Sequence, residues 1–229
     1  MSLAPPAREI LFPLFAFNVE VSRAPWVTEE PMIAEMRLQW WRDALDEIGQ
    51  GGQPRAHEVV TPLAKVLAGQ EVADLDALVA ARRWDIYKDS FEDAAHFESY
   101  LDATSGGLYR TAARIMGSSR IEEVSRVARA AGLANLFRAV PELEARGRKP
   151  LIDGRAKAVG ELARAALSDL SAAEARLDGA GRAALRPAWQ SAAVLRQVAK
   201  APGRVAAGAI ALNPLSDRLA LASRALRGR

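Results

Sequence analysis

The chain has no cysteine among its 229 residues, which excludes disulfides, a thiolate nucleophile and any Cys-ligated zinc or iron–sulfur centre. Histidine is almost as scarce. His57 and His96 are the only two, and neither belongs to a His-x-x-x-His or Glu-x-x-His pattern, so a zinc or di-iron site lacks convergent ligands. Positive charge is not in large excess. The 31 Lys and Arg face 28 Asp and Glu, for a net charge of +3, which argues against the concentrated basic face of a nucleic-acid binder. No run of about 18 apolar residues occurs, so no transmembrane helix is expected. The opening Met1-Ser-Leu-Ala-Pro-Pro6 lacks the basic start and apolar centre of a signal peptide, which predicts a soluble chain in the cytoplasm. Alternating strand patterns of useful length are missing as well.

What remains is ordinary globular composition, 50% hydrophobic and 26% charged, in a chain long enough for one sizeable core. Residues 1–229 therefore read as one domain, and helical periodicity fills it. Residues 8–21 form an apolar segment that predicts a buried helix broken or bent near Pro13. Thr28-Glu29-Glu30-Pro31 signals the start of a second helix, which runs to Ile48 and stops at Gly49, the expected left-handed turn residue. In it Ile33, Met36, Trp40, Ala44 and Ile48 make one apolar stripe, with Arg37 and Trp41 beside it. Helices are also expected over residues 59–67 and 75–89. A longer one over 97–117 is weakened at Ser105-Gly106-Gly107, by about 1 kcal/mol per glycine. A helix over 121–140 ends at Pro141, and amphipathic helices follow from Val159 and over 183–198. Residues 213–229 read as a helix opening at Pro214, basic through Arg218, Arg224, Arg227 and Arg229. It is expected to dock on the core or to touch a membrane surface. The fold class is all-α.

Three stretches carry chemistry. Asn135, Arg138, Glu142, Arg146, Gly147, Arg148 and Leu151 fit the form Asn-x-x-Arg-Asp-x-x-Glu-Asp-x-x-Arg-Gly-Arg-x-x-Leu. Arg37-Leu-Gln-Trp-Trp-Arg-Asp-Ala-Leu45 is a second motif, and Tyr100 followed by Ser105-Gly106 is a third. In order and kind these resemble the squalene and phytoene synthase family. That resemblance implies a single bundle of helices around a central cavity. It also implies two Asp-rich motifs on facing helices, whose aspartates hold the Mg²⁺ that grips a prenyl diphosphate. Here Ala139 and Leu143 stand at the two aspartate positions of the later motif. The earlier motif falls on residues 22–26, Ser-Arg-Ala-Pro-Trp, and no aspartate occurs before Asp43. Neither set offers the hard oxygen ligands that Mg²⁺ requires. Glu20 is the one nearby carboxylate and reads as a helix-surface residue. Asp85 or Asp89 would match an Asp that the family carries before its central helix, and neither reads as a metal ligand.

These departures, with Phe17-Asn-Val-Glu20 and Leu136-Phe-Arg-Ala139, resemble the branch that includes assembly factors of respiratory complex I. The resemblance implies a non-catalytic assembly or binding protein without a cofactor, partnered with respiratory proteins at the inner membrane. Two alternatives stand beside it. One is a transferase that joins prenyl diphosphates with Mg²⁺ through arginines and rebuilt carboxylates, since guanidinium suits phosphate. The other is an isoprenoid or lipid carrier that uses the leftover cavity. The residues that would line such a pocket are Arg37, Trp41, Arg42, Tyr100, Asn135, Arg138, Glu142 and Arg148. Trp41 equally suits core packing. No catalytic residue and no metal ligand is assigned.

Overall fold

In the computed structural model, which describes residues 5–211, the chain is helical and has no strand among those residues. Helix α1 (Pro5–Arg23) buries Leu11, Leu14, Phe17 and Val21 almost completely. It runs through Pro13 without a break, because the proline removes a single intrahelical donor while the packed face on either side holds the helix together. A 3₁₀ turn (Ala24–Trp26) leads to α2 (Pro31–Gly49), which opens on Pro31, where a missing N–H costs nothing. The left-handed glycine comes two residues after the helix, at Gly51 (φ 68°), rather than at Gly49.

The core-facing stripe of α2 is Ala34, Leu38, Trp41 and Leu45 together with Ala44. This corrects the stripe read from periodicity, since Ile33 and Met36 face outward and Met36 is 67% exposed. Two apolar rows one residue apart both satisfy a helical period, and the choice between them is made by packing. Trp41 sits edge-on to Phe17 at 5.4 Å between ring centroids.

Helix α3 (Val60–Leu63) is a single turn, shorter than the periodicity suggests. Helix α4 (Gln70–Ala81) starts earlier than expected and gives way to a 3₁₀ turn, Arg82–Asp85, instead of continuing to residue 89. Next come α5 (Ala94–Leu101), a π-helical turn (Asp102–Gly106) and α6 (Gly107–Ile115), end to end. The weakness expected at Ser105-Gly106-Gly107 is thus a wide turn, the kind of inserted residue that often marks functional sites.

Helix α7 (Ile121–Ala145) continues past Pro141 for another turn, again because one lost donor does not outweigh a packed face. Helices α8 (Ala156–Glu174), α9 (Gly179–Ala184) and α10 (Ser191–Lys200) complete the described fold, with a 3₁₀ turn (Arg186–Ala188) that breaks the helix expected over 183–198. The π turn and α8 both pack on α7, and α10 packs on α8. Gly132 makes the first of these contacts possible: a Cβ there would stand 2.8 Å from Ser105 Cβ. The basic stretch 213–229 lies outside the described residues.

Candidate functional site

A cavity of about 450 Å³ opens between α1, the 3₁₀ turns Ala24–Trp26 and Arg82–Asp85, the α5–π–α6 rod and α7. Its size is that of a small-molecule site. Phe15, Leu101, Leu108, Tyr109, Leu136 and Leu143 give it apolar walls, while Asn18, Ser22, Thr104 and Asn135 supply polar groups. Helical spacing explains which side chains reach it. Asn18 and Ser22 are four apart on α1, and Asn135, Ala139 and Leu143 are each four apart on α7, so each set shares one face.

The positions assigned by resemblance to metal-binding aspartates do line this cavity: Ser22 and Trp26 from the first motif, Ala139 and Leu143 from the second. None of the four carries a carboxylate. Among the described residues no group of three or more His, Asp or Glu is placed to hold a metal ion. The donor set therefore does not fit Mg²⁺, which needs several hard oxygens in octahedral array.

The chemistry of the cavity wall lies elsewhere, in Arg82, Asp85 and Tyr100. The Tyr100 hydroxyl donates to Asp85 at 2.9 Å and accepts from Arg82 Nη1 at 2.8 Å, and the same Nη1 reaches Asp85 at 3.0 Å. Asp85 is only 5% exposed. Burial raises the Tyr100 pKa well above the ordinary phenol value, so the phenol stays protonated. Burial also works against the Arg82 charge, but Tyr100 and Asp85 outweigh it and its pKa is raised. The result is a closed, hydrogen-bonded ion pair that needs no further proton.

Arg148 lies behind this wall. Its guanidinium donates to the carbonyls of Trp84, Asp85 and Tyr87 and lies 4.6 Å from the Trp26 ring. Burial lowers its pKa. It clamps the 3₁₀ turn that carries Asp85 and does not reach into the cavity.

Of the eight pocket residues expected from sequence, the cavity takes Tyr100, Asn135 and Glu142. Glu142 sits at the rim and pairs with Arg146 at 2.7 Å. The other five are corrections. Trp41 is core, beside Phe17, Trp40 and His57. Arg42 grips Asp76 through two bonds of 2.7 and 2.9 Å. Arg37 and Arg138 face solvent, and Arg148 is the clamp just described. Sequence reasoning missed Arg82 and Trp84. The signal available for them was the Arg82/Asp85 pair at i,i+3 ahead of Tyr100.

The comparisons with known proteins agree with this geometry. The squalene/phytoene synthase family matches residues 1–207. An "NADH dehydrogenase (ubiquinone) complex I, assembly factor 6 homolog" of Drosophila melanogaster is 31% identical over 155 residues, covering 63% of this chain and 46% of the relative. The "assembly factor 6" proteins of Bos taurus and Homo sapiens are each 26% identical over 140 residues, covering 59% of this chain and 42% of theirs. The chain thus matches less than half the length of these curated relatives. The helical frame, the cavity faced by both motif positions and the match along most of the sequence lead to one conclusion: the chain belongs to the squalene/phytoene synthase family.

Proposed function

We propose that this chain is a non-catalytic member of the family that works as an assembly or binding protein for a respiratory NADH dehydrogenase, at the membrane surface. The observation that carries the reading is the lining of the cavity, where Ser22, Trp26, Ala139 and Leu143 stand at the positions that the resemblance assigns to metal-holding carboxylates. Departure of a diphosphate without metal leaves its charge uncompensated, and the two remaining wall acids are engaged, Asp85 with Arg82 and Glu142 with Arg146. The names of the relatives supply the partner class. No helix among the described residues is long and apolar enough to cross a membrane, which fits contact from the surface.

Two measurements test this. Deletion of the gene in its host should reduce assembled NADH dehydrogenase on native gels, and re-expression of the chain should restore it. Incubation of the purified protein with farnesyl or geranylgeranyl diphosphate and Mg²⁺ should yield no condensation product. Normal complex levels in the deletion strain, or a product in the incubation, would overturn the proposal.

A further inference from the structure

We propose that the central cavity binds a single-chain amphiphile with a carboxylate head, held by Arg82. The inference goes beyond the assembly reading and does not depend on it.

Arg42 and Arg55 each present the edge formed by Nε and Nη2 to a carboxylate, Asp76 and Glu47, with contacts of 2.6–3.0 Å. That edge matches two oxygens at once and is the strong mode of carboxylate recognition. Arg82, in the cavity wall, leaves that edge unused. Its hydrogen bonds to Asp85 and Tyr100 both leave from Nη1. Nε is buried without an acceptor, and Nη2 donates to no group among the described residues. The indole N–H of Trp84, another cavity residue, is also buried without an acceptor. Buried donors of this kind are costly unless something satisfies them.

Charge selects the class of ligand. Asp85 is the one carboxylate beside both Arg82 and the buried Arg148, while at the rim Glu142 offsets Arg146. The charges lining the cavity balance, and Arg148 close behind them adds one surplus positive charge, enough for a monoanion. A diphosphate would bring several charges with no metal to meet them. Phe15, Leu108, Leu136 and Leu143 provide the apolar surface for the chain. The carboxylate accepts from Nη2, the terminal guanidinium nitrogen that makes no bond to Asp85 or Tyr100.

The experiment is calorimetric titration of the purified protein with dodecanoate, dodecanol, and farnesyl diphosphate with and without Mg²⁺, all below micellar concentrations. Dodecanoate should bind at least tenfold more tightly than dodecanol. The Arg82→Gln/Asp85→Asn double variant, which removes the pair together and leaves the net charge of the wall unchanged, should lose that preference while still binding dodecanol. Ala139→Phe, which leaves Arg82 untouched and fills the cavity, should abolish both. Equal affinity for the acid and the alcohol, unchanged dodecanoate binding in the double variant, no binding of either, or Mg²⁺-dependent binding of farnesyl diphosphate would each refute the proposal.

Discussion

Replacing Asp85 by alanine removes the carboxylate that pairs with Arg82 in the cavity wall and lies near Arg148 behind it. Arg82 keeps 19% of its side-chain surface and Asp85 7%, so water does little to screen the pair. Truncating one partner of a buried ion pair costs about 3–5 kcal/mol, most of it from the charge left behind. Loss of the Tyr100 hydrogen bond pushes the value toward the upper end. For a domain of this size each kcal/mol lowers the unfolding midpoint by about 2–4 °C, so Asp85→Ala should lower it by roughly 6–20 °C. Circular dichroism at 222 nm through a thermal ramp, backed by urea titration, gives the number. The decisive comparison is Arg82→Met in the Asp85→Ala background. If the cost is an unpaired charge, the second change should recover most of the loss, since an apolar replacement of a buried pair is often neutral. Additive destabilisation by the two changes, or a loss below about 1 kcal/mol for Asp85→Ala alone, would show that the pair is solvated and the reasoning wrong.

Three further outcomes are expected. Gly132→Ala gains up to about 1 kcal/mol of helix propensity, but its methyl would meet Ser105 Cβ at 2.8 Å. Overpacking costs about 1–3 kcal/mol, so urea unfolding should show net destabilisation, relieved by Ser105→Gly. Asp178 caps α9 through Gly181 N–H at 2.7 Å and accepts from Ser118 and Ser119, and the Gly181 amide first among these holds its pKa below the usual carboxylate range. Its contribution is present above the unfolded pKa near 4 and is lost as pH falls through the lower folded value. Asp178→Ala should therefore cost about 1–2 kcal/mol at neutral pH and flatten the acid limb of a stability-versus-pH curve below about pH 4. Finally, Ala139→Asp with Leu143→Asp should produce no prenyl condensation product by chromatography, because Ser22 and Trp26 still offer no carboxylate.

The sequence by itself determined the helical class, because apolar periodicity without strand alternation leaves no other way to bury half of the residues. It also placed the later motif positions together, since Ala139 and Leu143 are four residues apart and a helix must put such a pair on one face. Asn135, four residues before Ala139, was legible for the same reason, and Tyr100 from its place ahead of Ser105-Gly106. Tertiary structure decided what local pattern leaves degenerate. On α2 the rows through Ile33 and Leu38 are equally helical, and contact with Phe17 chose the one containing Trp41. The prolines at 13 and 141 carry a stop signal that packing on both sides overrode. The fates of the arginines depended on partners distant in sequence. Arg42 found Asp76, and Arg148 found the carbonyls of residues 84, 85 and 87. Arg82 met Tyr100 and Asp85 at the cavity wall. A guanidinium reaches far and bonds whatever acceptor the fold brings within about 3 Å, so its role is fixed only when the helices have packed.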